Sequence, residues 1–133
     1  MSPVLEIKDL RVEFDTYGGV VQAVRGVDLS VASGRTLGIV GESGCGKSVT
    51  MQAVMGLIPM PPGRITAGSA LLEGEELLGR PAAEINARRG ADIAMIFQDP
   101  MTSLNPTMRV GRQIAETLQV HRGMDAKTAL ARA

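Results

Sequence analysis

Eight residues, GESGCGKS at positions 41–48, limit the possible folds of this chain more than any other part of it. They fit the pattern G-x-x-x-x-G-K-[ST] at every fixed position, and they follow directly on the apolar run at 36–40. Residues 48–57 predict a helix that stops before a proline-rich stretch. Strand, glycine-rich loop and helix in this order predict an α/β fold.

Such a loop is suited to holding phosphate groups. Glycines allow successive backbone N–H groups to converge on one point, because no Cβ obstructs positive φ angles. These donors would lie at a helix N-terminus, where the helix dipole favours anions. Lys47 adds a positive charge, and Ser48 offers a hydroxyl oxygen of the kind that Mg²⁺ prefers. The pattern therefore predicts binding of a nucleotide diphosphate or triphosphate with magnesium.

Other nucleotide-binding classes fit this sequence poorly. A GTPase needs D-x-x-G and N-K-x-D after the loop, but the only D-x-x-G begins upstream at Asp15, and N-K-x-D is absent. No G-x-G-x-x-G surrounds the loop, which disfavours a Rossmann fold. A nucleotide kinase would need a lid and an acceptor site, for which the sequence gives no signal.

Length and charge narrow the class further. With 133 residues the chain is long enough for one core and too short for two ordinary domains. Its 14 basic and 14 acidic residues cancel and form no block of one sign, and aromatic residues are scarce, so no nucleic-acid partner is expected. The single cysteine, Cys45, has no internal disulfide partner. Without an export signal or a membrane-spanning run, a soluble cytosolic chain is expected.

Hydrophobic patterning predicts the remaining elements. Two apolar runs, at 36–40 and 93–97, suit strands buried on both faces of a parallel sheet, whereas the earlier strands mix apolar and charged residues. Apolar positions spaced by four predict an amphipathic helix over 110–121, ended by Gly123. Asp125 predicts the start of a further helix that runs to the end of the sequence without a stop signal, which suggests an interruption. The other predicted strands are 5–14, 20–24, 27–31 and 69–72, and the other predicted helix is 81–89.

A second magnesium ligand is expected where the strand at 93–97 ends. Two side chains compete for this role, Gln98 through its amide oxygen and Asp99 through its carboxylate. The pair Asp99-Pro100 resembles turn chemistry, and Gln98 directly ends the apolar strand. Residue chemistry alone leaves the two equal.

Three segments carry a resemblance to a known family: GESGCGKSVT, GLIPMPPGRITAG and IAMIFQDPMTSLNPTMRVGRQIAE. Together they resemble the ATP-binding subunit of an ABC transporter, most closely in the dipeptide and oligopeptide importer branch, which includes nickel importers. The resemblance covers nearly the whole chain and implies that Gln98 is the glutamine that contacts Mg²⁺ and relays the nucleotide state to the membrane subunits. It also implies that Tyr17 stacks on adenine, although a tyrosine before Gly18-Gly19 suits a plain turn as well. The implied ATP-binding residues are Tyr17, Gly41, Glu42, Ser43, Gly44, Cys45, Gly46, Lys47, Ser48, Val49 and Gln98, with Ser48 and Gln98 as metal ligands; Val49 departs from the threonine of many members.

The fold implied by the resemblance is α/β, with a P-loop NTPase-type core, an N-terminal antiparallel β subdomain and the start of a helical subdomain. The expected division is an antiparallel region over about 1–35, the P-loop core over 36–98, and the glutamine loop with the first helical segment over 99–133. Expected partners are a second ATP-binding subunit, two membrane-spanning permease subunits, which residues after Gln98 would contact, and indirectly an extracytoplasmic solute-binding protein. The expected location is the cytoplasmic face of a bacterial or archaeal plasma membrane.

The resemblance also indicates what this sequence lacks. The L-S-G-G-Q signature, an apolar strand ending in Asp-Glu and the later histidine of the family do not occur in it. Because a base-like residue must orient the attacking water in phosphoryl transfer, this piece should bind ATP with Mg²⁺ and hydrolyse it barely or not at all. The principal hypothesis is the N-terminal part of an ATPase subunit that powers peptide import. The alternative is a non-hydrolysing nucleotide-binding or interaction module.

Overall fold

A computed structural model describes residues 2–133 and divides the chain into two units, Met1–Ile85 and Asn86–Ala133. The first unit is built on an antiparallel sheet with the spatial order β2-β1-β3-β4. The strands are β1 (Pro3–Thr16), β2 (Gly19–Ala32), β3 (Gly63–Leu72) and β4 (Glu75–Glu76). The sheet thus combines the two N-terminal strands with two later ones that lie between residues 63 and 76. The predicted domain boundaries stay a prediction.

Strands β1 and β2 form a long hairpin around the turn at Tyr17 and Gly18. The two predicted strands at 20–24 and 27–31 are one continuous strand, with irregular pairing to β1 between Ile7 and Arg11. Alternating burial along β1 places Ile7, Leu10 and Val12 in the core, each almost fully enclosed. This face of the sheet therefore contributes to the hydrophobic core of the first unit.

Helix α1 (Lys47–Val54) packs against β1 and β2. Its buried residues are Thr50, Ala53 and Val54, and the Thr50 hydroxyl donates a 2.8 Å hydrogen bond to the carbonyl of Gly46. The helix is confirmed, although it ends at Val54 and not at the predicted residue 57. Burial of this face fixes the start of the helix against the hairpin, and with it the end of the glycine loop.

Both apolar runs predicted as buried strands lie outside any strand, and these two predictions are wrong. Residues 36–40 form no strand, and Val40 is 96% exposed; in the run at 93–97, only Ile93 makes an isolated bridge, to Arg89, and Ile96 is 98% exposed. A strand needs a hydrogen-bonded neighbour. Among residues 2–133 the run at 36–40 has none, so apolar composition alone does not produce a strand.

Helix α2 (Ala82–Arg88) follows Pro81 and crosses the boundary between the two units. The second unit contains α3 (Val110–Arg122) and α4 (Ala126–Arg132), which pack on each other. Ala115 of α3 and Ala129 of α4 are buried, whereas the predicted apolar positions Val110 and Ile114 stay about half exposed.

Local signals set the ends of α3 and α4. Gly123 ends α3 in the left-handed conformation with φ 62°, as predicted. Asp125 caps α4 by accepting a 2.9 Å hydrogen bond from the backbone N–H of Thr128, also as predicted. Among residues 2–133, no helix combines the length and apolar character that crossing a membrane requires.

Candidate nucleotide-binding site

The glycine loop runs over residues 41–46 into the N-terminus of α1. Gly44 and Gly46 adopt φ angles of 81° and 91°, which L-residues with a side chain rarely take. Gly46 is also the N-cap residue of α1, and a Cβ there would lie 2.6 Å from the backbone carbonyl oxygen of Ala23 in β2. The loop conformation and its closeness to the hairpin thus require glycine at position 46.

The side chain of Lys47 folds back over the loop. Its Nζ atom donates hydrogen bonds of 2.6 Å to the carbonyl oxygens of Gly41 and Glu42, and it lies 3.3 Å from Sγ of Cys45. The ammonium group is therefore held by loop atoms of residues 41, 42 and 45. A full positive charge is held where the exposed loop meets solvent.

The start of α1 presents unpaired backbone donors. Among the described residues, none accepts a hydrogen bond from the backbone N–H groups of Gly46, Lys47 or Ser48. These groups lie at the positive end of the helix dipole. The arrangement suits an anion with several oxygens, as a phosphate group has.

Ser48 is the residue predicted to contact magnesium. It lies in the first turn of α1, is exposed, and makes no side-chain hydrogen bond to another residue within 2–133. A free hydroxyl beside a phosphate cradle is a suitable ligand for a hard cation. Among residues 2–133, no cluster of three or more His, Cys, Asp or Glu side chains is arranged to hold a metal ion.

Gln98 and Asp99 differ in their hydrogen bonding. The carboxylate of Asp99 accepts hydrogen bonds from the backbone N–H of Met101, at 2.9 Å, and from the hydroxyl of Thr102, at 3.3 Å. Asp99 thus closes a local turn, whereas Gln98 is exposed and makes no hydrogen bond to another described residue. Because Ser48 and Gln98 belong to different units, their joint binding of a metal stays a prediction.

The remaining predicted contacts lie around the loop. Glu42, Ser43, Gly44 and Cys45 are exposed, and Val49 is half-buried in α1. Tyr17 is fully exposed at the tip of the β1–β2 hairpin, where the Thr16 hydroxyl donates to the carbonyl of Gly19 at 2.7 Å. Stacking of Tyr17 on adenine stays a prediction.

Sequence reasoning did not single out one residue that organises the second unit. The side-chain amide of Gln113, on α3, makes three hydrogen bonds of 2.9 Å to the backbone of Asn105 and Met108. Such a contact between a helix and a loop has no periodic signature. The neighbours of Gln113 in the sequence, Arg112 and Ile114, give no signal of it.

Comparison with known proteins identifies the family. The family described as ABC transporter matches residues 24–133, and the chain belongs to this family. It is 56% identical to the oligopeptide transport ATP-binding protein of Bacillus subtilis, over 100% of this chain and 37% of that protein. It is 52% identical to the dipeptide transport ATP-binding protein of the same organism, over 97% of this chain and 38% of that protein. It is 53% identical to the oligopeptide transport ATP-binding protein of Haemophilus influenzae, over 98% of this chain and 40% of that protein. The chain therefore spans about two fifths of the length of these relatives.

Solved structures agree on the fold. A bacterial ABC transporter cassette solved as a dimer matches this chain with a TM-score of 0.82 at 21% sequence identity. The match covers 96% of this chain and 53% of the cassette's chain. The same cassette in a post-hydrolysis state bound to ADP and phosphate matches equally well. The predicted fold class is confirmed: an α/β P-loop NTPase-type fold, here its N-terminal part with an antiparallel sheet and helices.

Proposed function

We propose that this chain is the N-terminal part of an ATP-binding subunit that powers peptide import. Its loop at 41–48 would bind ATP with Mg²⁺, and the full-length subunit would hydrolyse the ATP. The curated relatives, at 52–56% identity, are named as oligopeptide and dipeptide transport ATP-binding proteins. These names do not favour the alternative of a nucleotide-binding module without turnover.

One observation carries the proposal of nucleotide binding. The Lys47 ammonium lies within hydrogen-bond distance of two loop carbonyls, and the loop leads into the unpaired N–H groups of Gly46, Lys47 and Ser48. A phosphate oxygen could replace a carbonyl as the partner of the ammonium and accept hydrogen bonds from these N–H groups. Charge-assisted hydrogen bonds of this kind are roughly twice as strong as neutral ones.

The residues present also fit magnesium. The Ser48 hydroxyl is free to act as a ligand, and Gln98 offers an exposed amide oxygen in the second unit. When bound, Mg²⁺ neutralises phosphate charge and orients the phosphate groups. Asp99 is not proposed as a ligand, because its carboxylate oxygens accept local hydrogen bonds.

The transporter relatives support a proposal for partners and location. We propose pairing with a second ATP-binding subunit, as the dimeric cassette of the same fold suggests, and docking on two permease subunits at the cytoplasmic face of a bacterial or archaeal plasma membrane. An extracytoplasmic solute-binding protein would act indirectly through the permease. No nucleic-acid partner is proposed for a chain with zero net charge.

The test is Lys47→Ala in the intact subunit, assayed for ATP hydrolysis. Loss of the ammonium removes charge stabilisation of the phosphates, and we expect the rate to fall by about a hundredfold or more. A matched control is Lys127→Ala in α4, which removes an exposed lysine outside the loop. Wild-type hydrolysis by the Lys47 variant would refute the assignment of the loop.

A further inference from the structure

The segment from Asp99 to Arg109 has no regular secondary structure beyond turns, yet its backbone is held at several points. At its start, Asp99 accepts hydrogen bonds from Met101 and Thr102, and the hydroxyl of Ser103 donates to the Asp99 carbonyl at 2.7 Å. These contacts form a compact turn directly after Gln98. The turn limits the backbone conformations that Gln98 and the following residues can adopt.

A second turn follows at Asn105. Its side-chain oxygen accepts hydrogen bonds from the backbone N–H of Thr107, at 2.9 Å, and from the Thr107 hydroxyl, at 2.7 Å. Neither turn by itself connects the segment to a helix. Both are local, because each joins residues no more than four positions apart in the chain.

Gln113 supplies the connection to α3. Its Oε1 atom accepts from the backbone N–H of Asn105, and its Nε2 atom donates to the carbonyl oxygens of Asn105 and Met108, all at 2.9 Å. One half-buried amide thus satisfies three backbone groups of a loop. Only an amide of this length offers one acceptor and two donors at that distance from the helix.

We propose that Gln113 is a positioning residue that fixes the segment after Gln98 on α3 and thereby couples ATP hydrolysis to transport. The segment presents exposed apolar side chains, with Met101 85% exposed and Leu104 about half exposed. A rigid segment transmits a displacement of Gln98 to whatever contacts these side chains, whereas a loose one absorbs it. The proposal rests on the proposed transport function.

The first arm of the test measures whether the Gln113 side chain holds the backbone of Asn105 in place. Backbone amide hydrogen exchange is followed at Asn105 in the full-length subunit assembled with its permease. Gln113→Ala removes the acceptor of the Asn105 N–H, and we expect exchange to accelerate about five- to tenfold. Gln119→Ala is the matched control, because Gln119 lies on the same helix, is exposed, and makes no side-chain hydrogen bond within residues 2–133. Unchanged exchange in Gln113→Ala would overturn the proposal.

The second arm measures coupling, as the amount of a radiolabelled tripeptide imported into membrane vesicles per ATP hydrolysed. We expect the ratio to fall about threefold or more in Gln113→Ala and to stay at the wild-type value in Gln119→Ala. A wild-type ratio despite faster exchange would also overturn the proposal. If Gln113→Ala does not fold, Gln113→Glu decides, because it keeps the acceptor for Asn105 and loses both donors; a wild-type ratio there counts against the coupling role.

Different results would refute the proposed peptide transport and the positioning role of Gln113. If wild-type vesicles hydrolyse ATP but import no tripeptide, the proposed peptide transport is wrong, and the coupling role of Gln113 falls with it, whatever the exchange arm shows. If the wild type imports and the Gln113 variants import equally well per ATP, only the positioning role is wrong.

Discussion

The Nζ atom of Lys47 lies 2.6 Å from the carbonyl oxygen of Gly41, six residues earlier in the chain. This contact closes the glycine loop on its own lysine. A loop held by its own hydrogen bonds loses less conformational entropy when it binds a ligand. The same contact keeps the positive charge of Lys47 on the loop that leads into α1.

The closeness of Gly46 to Ala23 predicts a large effect of a single methyl group. Gly46→Ala combines a φ angle of 91° with a Cβ only 2.6 Å from the Ala23 carbonyl oxygen. We expect it to destabilise the intact subunit by about 3 kcal/mol or more, because backbone strain and overpacking add. Thermal or urea unfolding measures the change.

Gly44→Ala is the matched control for this prediction. Its φ angle is 81°, but a Cβ there would meet nothing within 4 Å, so only the backbone strain of about 1–2 kcal/mol remains. Equal destabilisation by the two variants would show that the contact with Ala23 contributes nothing.

Alkylation of Cys45 is expected to block nucleotide binding. The thiol is exposed and its Sγ atom lies 3.3 Å from Nζ of Lys47, so an added group would occupy the space beside the ammonium. ATP binding is measured before and after treatment with N-ethylmaleimide. The Cys45→Ser variant should bind ATP and resist the reagent; normal binding by fully alkylated wild type would show that the position of the thiol has been misread.

Tyr17 provides a test of adenine stacking. The side chain is fully exposed, so Tyr17→Ala should leave the unfolding free energy nearly unchanged. If the ring stacks on the base, ATP affinity falls about tenfold in Tyr17→Ala, and Tyr17→Phe keeps most of it. Val20→Ala, in the neighbouring strand, is the control for general disturbance of the hairpin. Equal ATP affinity in Tyr17→Ala and wild type would leave Tyr17 a plain turn residue.

Asp125 makes the stability of α4 depend on pH. Hydrogen bonds from the Thr128 hydroxyl and then from its backbone N–H lower the pKa of Asp125 below its usual value. A group whose pKa is depressed in the folded state stabilises it above the unfolded pKa, about 3.9, and this contribution disappears as the pH falls through the folded pKa. Asp125→Ala should therefore be less stable than wild type at pH 7.

The difference between wild type and Asp125→Ala, followed by circular dichroism during thermal unfolding, should shrink as the pH drops below about 4. Lys127→Ala, which leaves the cap intact, should show no such convergence. A gap between wild type and Asp125→Ala that stays constant down to the lowest pH at which the protein folds would contradict the assignment.

Local signals explain the parts of the fold that the sequence predicted well. Asp125 and Gly123 act through their own backbone and its nearest neighbours, so the helix boundaries they define are visible in the sequence. The glycine loop is similar, because the positive φ angles of Gly44 and Gly46 are a property of those residues. Short-range chemistry is readable without knowing the partner elements.

The errors concern contacts between distant residues. The runs at 36–40 and 93–97 have the composition of buried strands, but a strand forms only with a neighbour, and Val40 and Ile96 stay exposed. The hydrogen bond between Gln113 and Asn105 was missed for a related reason, since nothing in the spacing of the two residues indicates a loop folded back on a helix. Stacking by Tyr17 and metal binding by Gln98 are not errors but stay predictions, because each depends on groups outside its own segment.

The most direct measurement is the affinity of the intact subunit for ATP in the presence of Mg²⁺, in the wild type and in Lys47→Ala. The ammonium is held against two loop carbonyls, so its loss should weaken binding by at least about tenfold. Circular dichroism establishes that the variant is folded. Equal affinity in a folded Lys47→Ala protein would contradict the central claim that residues 41–48 bind the phosphate groups of the nucleotide.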